Sequence, residues 1–370
     1  MIIYILNIIL PCLICAHGLK KGSVKYNILG EKYIEPANYA YIAAVAILIF
    51  TYAARGYTGT DTHTYIFAYR SIGNYSLQDT LARERDWLFS VVIYLNYIIF
   101  GKNGIIYNNI ILGMLTFLPT IYVYKKYSGN LVIAIFLYIT TTVYYFGFNG
   151  QRQGIAIAIT MLGYPYLLKK NYKLWLLICI IASFFHNTAY LIMPLGFLLT
   201  KKTTSKSFII ISVAGLVSAI VLWSIWNQLF EFLGMIGQDK LVNDYSDMNA
   251  QTSSGANPLR VVIAGIPVAL GIFYYKRMSN RKFVLDLNYC IWQLIFIVAS
   301  TRNIFLYRCS SFFAPVQIFL LIDIAELFDK KSKILYWTAL VVLYSVYMWV
   351  SLHSEGGMLP YNLFFKYRIY

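Results

Sequence analysis

Apolar runs recur along the whole chain, each followed by a short polar interruption. Thirteen can be marked: residues 2–16, 37–54, 87–100, 104–124, 130–148, 153–168, 173–185, 188–200, 207–226, 259–275, 283–301, 309–328 and 334–352. A helix needs about 20 mainly apolar residues to cross the hydrocarbon core of a bilayer, and several runs come close to that length. None alternates strictly, as a barrel strand would, whereas a helix satisfies its backbone polar groups within one segment. The pattern predicts an all-α polytopic membrane protein, with residues 1–370 forming a single integral membrane domain.

Two stretches complicate the crossing number. Gly101-Lys102-Asn103-Gly104 joins two apolar runs whose far flanks must lie on opposite sides, so one run, most simply 87–100, is expected to be re-entrant. Residues 174–200 carry lysines at both ends and are expected to form two short helices meeting near His186. The resulting expectation is about twelve transmembrane helices, with both termini extracytoplasmic.

Composition supports the membrane class. Of 370 residues, 59% are hydrophobic and 12% charged, against roughly a quarter charged in a soluble domain. A soluble protein is excluded. The first run has no basic residue before it and no small-residue cleavage site after it, which predicts a retained helix and not a signal peptide. Cys12, Cys15, Cys179, Cys290 and Cys309 lie in or at the ends of apolar runs, so neither a disulfide framework nor a metal site is expected.

The net charge of +16 divides by residue type. Six clusters, at 20–32, 125–126, 169–173, 201–206, 276–282 and 330–333, hold 17 Lys and 2 Arg, whereas the remaining basic positions are 3 Lys and 9 Arg. Lysine-rich short loops mark the cytoplasmic side, which accounts for most of the charge without nucleic acid. Arginine brings a planar fork suited to phosphate or carboxylate. The outer arginines are therefore candidates for anion binding, with headgroup anchoring as the alternative for Arg70, Arg260 and Arg368. Asp286, Asp323 and Glu326 are read as helix-end residues near the cytoplasmic side.

Two larger extracytoplasmic loops follow from this topology, 55–86 and 227–258. The second is polar and contains Gly and Ser, which fits either a flap over a site or a plain connection. The first opens with Arg55-Gly56-Tyr57-Thr58-Gly59-Thr60-Asp61. Arg55 at the membrane surface can meet a lipid phosphate beside glycine-exposed N–H groups; alternatively, Thr60 or Asp61 caps a helix. Glu84-Arg85-Asp86 ends the loop with two carboxylates, which fit a sugar, a divalent cation or a salt-bridged helix start.

Arg152, in Asn149-Gly150-Gln151-Arg152-Gln153-Gly154, heads a helix of small residues, where an arginine is costly unless it faces a polar cavity or snorkels. His186 stands between two apolar runs, either as a hydrogen-bonded bundle residue or as a general base. Arg302 and Arg308 flank Asn303 to Tyr307, and two forks at one boundary can clamp a diphosphate or anchor separately to headgroups.

These motifs carry a resemblance. A helix pair with a Lys-rich loop, then Arg55, Gly59-Thr60-Asp61 and Tyr65, then Arg152-Gln153-Gly154-Ile155-Ala156, then Phe185-His186-Asn187-Thr188-Ala189 before Pro194, and Tyr307-Arg308 near the end, together resemble the EpsG/Wzy family. That family comprises membrane polymerases of bacterial surface polysaccharide.

The resemblance implies an O-antigen or capsule repeat-unit polymerase in the bacterial inner membrane, working on the periplasmic face. Its substrates would be undecaprenyl-diphosphate-linked oligosaccharides, and it would use no cofactor, metal or nucleotide sugar. Membrane lipid would surround it, and a flippase and a chain-length regulator of the same pathway would be its partners. Arg152 and Arg308, aided by Arg55 or Arg302, would neutralise the departing diphosphate, while His186 or Asp61 would take the acceptor proton. Tyr65, Glu84 and Asp86 would contact sugars. The competing readings are a lipid-linked-sugar transferase or polysaccharide ligase, and a flippase, for which charges should line a path through the membrane.

Overall fold

The computed structural model describes residues 1–27, 30–83, 86–202, 257–301, 304–354 and 356–364, with Val213 and Val217. They fall into two units by contact, Met1–Gly196 with Ala325–Tyr370, and Phe197–Ile324.

In the first unit, α1 (Ile2–Lys20) and α2 (Asn38–Ala53) pack side by side, joined by an antiparallel hairpin of β1 (Ser23–Tyr26) and β2 (Lys32–Glu35). The 55–86 loop is itself helical in part: α3 (Thr62–Ser71) and α4 (Leu77–Arg83) form within it. Then follow α5 (Trp87–Phe100), α6 (Ile105–Tyr127), α7 (Leu131–Thr140), α8 (Val143–Asn149), α9 (Gln151–Leu168), α10 (Tyr172–Ser183) and most of α11 (Ala189–Leu199). Helix α6 lies against α2 and α9.

The 130–148 run is broken, not continuous. Its two helices meet at 48°. Thr140 and Thr141 donate their hydroxyls back to the carbonyls of Phe136 and Leu137, at 2.8 and 2.6 Å, and Thr142 adopts φ 65°. Successive β-branched threonines that bond to the preceding turn disfavour continuation, and the left-handed Thr142 redirects the chain. The break aims the end of α8 at the 55–61 turn.

Residues 174–200 form two short helices, as expected, held by a tryptophan. Trp175 is buried and donates its indole N–H to the Met193 carbonyl at 3.1 Å. Its ring occupies the space where a Cβ on Gly163 or Gly196 would come within 2.6 or 2.2 Å of it, so glycine is needed on both neighbouring helices. The turn between α10 and α11 carries His186.

The second unit contains α12 (Leu259–Tyr274), α13 (Arg281–Ser300), α14 (Ile304–Ser311) and most of α15 (Gln317–Ala325). Asp286 is not a helix-end residue: it is five positions into α13 and fully buried. Lys282 pairs with it at 3.3 Å and with Asp323 at 2.5 Å. Glu326 is a helix-end residue, paired at 2.7 Å with Lys333 of α16 (Lys330–Ser354), which belongs to the first unit along with Glu326.

By length and composition, five described helical spans can cross a membrane: Ile2–Lys20, Ile105–Tyr127, Arg281–Ser300, Leu306–Ala325 and Lys330–Ser354; the bent α7–α8 pair makes six if it counts as one. This is an all-α multi-pass membrane protein. Among the described residues these are five or six of the about twelve expected crossings; α2, α5, α10, α11 and α12 are apolar but shorter than the ~20 residues of a straight crossing. Residues 207–226, and 227–256 of the second loop, lie outside the described residues apart from Val213 and Val217.

Candidate active site

Asp86 is the hub of the charged cluster in the first unit. It stands at the N-cap of α5 but caps no N–H with its side chain. Its carboxylate instead reaches the α10–α11 turn: Oδ2 lies 3.2 Å from Nδ1 of His186, and Oδ1 accepts the Asn187 N–H at 3.3 Å. The Leu88 N–H donates to the Phe184 carbonyl at 3.1 Å, fastening the same turn to the start of α5. Arg152, in the first turn of α9, brings Nη1 to 3.5 Å from the same Asp86 oxygen and lays its guanidinium 5.2 Å from the Phe89 ring centre.

Asp86 is nearly buried, with 8% of its side chain exposed, while Arg152 retains 29%. Burial by itself raises the Asp86 pKa. The hydrogen bond from His186 and the charges of His186 and Arg152 outweigh it, with help from the Asn187 N–H, and hold the carboxyl below its usual value. An ionised carboxylate accepts, so Nδ1 carries the hydrogen, and in the neutral form of the ring Nε2 presents a lone pair. Nε2 is buried and has no hydrogen-bond partner among the described residues. Asp86 orients, His186 can accept a proton, and Arg152 supplies a partly exposed cation beside them.

Tyr65 of α3 joins this cluster through Phe89, ring centre to ring centre at 6.2 Å. Asp61 belongs to a neighbouring arrangement. It begins α3, as one reading of the sequence had it, without a side-chain cap, and its N–H points to Oδ1 of Asn149 at 3.5 Å. The other end of the Asn149 amide donates to the Gly356 carbonyl at 2.9 Å. Gly59 and Gly356 have φ of 100° and 68°, and a Cβ on either would come within 2.4 or 2.8 Å of that amide. Asn149 is thus clasped between two positive-φ glycines, three residues before Arg152.

Residues 356–364 continue along the 54–62 turn. Gly59 and Thr60 donate to the carbonyls of Gly357 and Gly356, and Gly56 to that of Asn362, at 2.9, 3.1 and 2.6 Å; Phe364 donates to Ala54 at 2.9 Å. This strap was not legible in the sequence, where residues beyond 352 matched no motif. The pairing of Gly59 with Gly356-Gly357 is a signal only once the contact is known.

Arg55 departs from the expectation of a phosphate-binding fork at the membrane surface. It is fully buried. Nη1 donates to the Tyr52 carbonyl and Nη2 to that of Phe148 at 3.4 Å, with the guanidinium 3.7 and 4.7 Å from the Tyr52 and Phe148 ring centres. It ties the end of α2 to α8. Both oxygens of Asp86, nominated as a sugar-binding carboxylate, are engaged within the protein by His186, Arg152 and Asn187. Glu84 and Arg302 lie outside the described residues. Arg308 is half-buried in the last turn of α14, in the second unit, beside Tyr307, whose ring faces the Arg260 guanidinium at 4.2 Å. Among the described residues no group of three His, Cys, Asp or Glu side chains could hold a metal ion.

A helical multi-pass membrane protein with an Asp–His–Arg cluster at the heads of its helices is the class this geometry defines. The model of the EpsG family matches residues 38–368, and the chain belongs to that family. No curated protein and no solved structure matches it. Family membership suggests a polysaccharide-polymerase-like function.

Proposed function

We propose that this protein is a glycosyltransferase of the repeat-unit polymerase type, acting at the extracytoplasmic face of the bacterial inner membrane. It moves a growing glycan from undecaprenyl diphosphate onto the non-reducing end of a new lipid-linked repeat unit. The carrying observation is the Asp86–His186 pair, which leaves Nε2 of His186 unpartnered with Arg152 on the same carboxylate oxygen.

In this mechanism the acceptor hydroxyl attacks the anomeric carbon of the donor, its proton passes to Nε2 of His186, and the bond from that carbon to the diphosphate oxygen breaks. Asp86 stabilises the imidazolium as it forms. Arg152 neutralises charge developing on undecaprenyl diphosphate as it leaves. Tyr65 offers an aromatic face to a sugar. The products are the extended glycan and undecaprenyl diphosphate.

Deletion of the gene tests the class. Single repeat units without a ladder on a surface-glycan gel support polymerase; loss of all glycan indicates flippase or ligase. The flippase reading needs charges along a path, whereas Lys282, Asp286 and Asp323 form one compact group between two helices of the second unit.

A further inference from the structure

The β1–β2 hairpin leaves large apolar side chains exposed. Its register pairs Ser23 with Glu35, Val24 with Ile34, Lys25 with Tyr33 and Tyr26 with Lys32. Side chains alternate across a strand, so Lys25, Tyr33 and Glu35 share one face while Val24, Tyr26, Ile34 and Lys32 share the other. On the first face Tyr33 and Glu35 of β2 turn toward the protein, while Ser23 and Lys25 of β1 are exposed. Tyr33 is buried, and Glu35 binds Lys25 at 2.7 Å and Lys125 of α6 at 2.8 Å. Hydrogen bonds from Lys125 and Lys25 hold the Glu35 carboxyl below its usual value.

The other face exposes three large apolar side chains beside Lys32: Val24, Tyr26 and Ile34 are 54%, 69% and 50% exposed. A hairpin standing in water turns its apolar face inward and its polar face out. This one leaves Val24, Tyr26 and Ile34 outward directly after α1, whose own outward residues Ile5, Leu6, Ile9 and Leu13 are exposed along a helix able to cross the membrane. A four-residue strand reaches roughly 13 Å, so the hairpin stays at the depth where a spanning helix leaves the bilayer. Around it, Lys20, Lys21 and Lys32 are exposed, with no ion-pair partner among the described residues.

We propose that the β1–β2 hairpin is an interfacial anchor for a leaflet with anionic headgroups. Val24, Tyr26 and Ile34 seat in the interfacial layer, and Lys20, Lys21 and Lys32 meet lipid phosphates. The anchor is independent of the catalytic reading, and of which sugars are handled.

The test uses the full-length protein in nanodiscs of phosphatidylcholine, with or without phosphatidylglycerol. A spin label is attached at Val24→Cys, Tyr26→Cys or Ile34→Cys, against unsubstituted protein as the control for labelling of native cysteines. At all three positions, collisions with oxygen, which partitions into lipid, should exceed those with a water-soluble nickel chelate. Phosphatidylglycerol should raise the oxygen-to-nickel ratio, and the Lys20→Gln/Lys21→Gln/Lys32→Gln variant should lose that rise. Dominant nickel collisions, low accessibility to both reagents, or a ratio indifferent to phosphatidylglycerol overturns the proposal.

Discussion

Oδ2 of Asp86 and Nδ1 of His186 lie 3.2 Å apart, although one hundred residues separate them in the chain. The carboxylate fixes which imidazole nitrogen carries hydrogen, and so which one can act as base. A positioned general base contributes typically about 10²–10⁴-fold. His186→Ala should therefore lower polymerisation by about that factor. Asp86→Asn, which keeps the shape but not the charge, should lower it by roughly 10²-fold or more. Polymer yield per correctly inserted molecule is the readout, since loss of protein is a different outcome.

Arg152 reaches the same carboxylate with a planar fork, while part of its side chain stays exposed. Arg152→Lys retains charge but loses the fork, so its activity should fall between wild type and Arg152→Ala. Removing one preorganised donor to a developing anion costs on the order of 10²–10³-fold. Unchanged polymer length and yield in both variants defeats the assignment of Arg152 to the diphosphate.

Arg55 should behave differently, because its guanidinium holds two backbone carbonyls and two aromatic faces inside the protein. Arg55→Ala removes charged hydrogen bonds and leaves a void, so it should destabilise by roughly 2–5 kcal/mol. Thermal unfolding in detergent measures this. Activity per folded molecule should change far less than for Arg152→Ala.

How much of this was legible in the sequence follows from the range of each interaction. The apolar runs announced α1, α6 and α13 because a helix face or a span is a local pattern. The bend at Thr142 was missed because hydrophobicity does not register threonines bonding back to the preceding turn. His186 and Arg152 were marked by their unlike surroundings, and Asp86 does stand at a salt-bridged helix start as one reading had it, but nothing near it in sequence shows that His186 folds against it. Asn149 was passed over as part of a polar spacer. Its role exists only once Gly59 and Gly356 arrive from opposite ends of the chain.

That clasp makes its own prediction. Gly59→Ala and Gly356→Ala each force a side chain into positive φ and into the Asn149 amide. Each should cost at least ~1–2 kcal/mol, and Asn149→Ala should loosen residues 356–364 from the 56–61 turn. Faster hydrogen exchange at the Gly59 and Thr60 amides, with α13 unaffected, is the expected signature.

Acid should act through Asp86. Its folded pKa is below that of the unfolded chain, so the stability it contributes is complete above about pH 4, the unfolded carboxylate value, and is lost as pH falls through the lower folded value. Unfolding midpoints should decline in that acid window for wild type and decline less steeply for Asp86→Asn.

The most direct measurement is reconstitution of the purified protein in liposomes with lipid-linked repeat units isolated from cells lacking it. Wild type should yield a glycan ladder and release one undecaprenyl diphosphate for each bond formed, while His186→Ala, equally folded, yields neither. A ladder from His186→Ala equal to that of wild type, or no ladder from wild-type protein, contradicts the assignment.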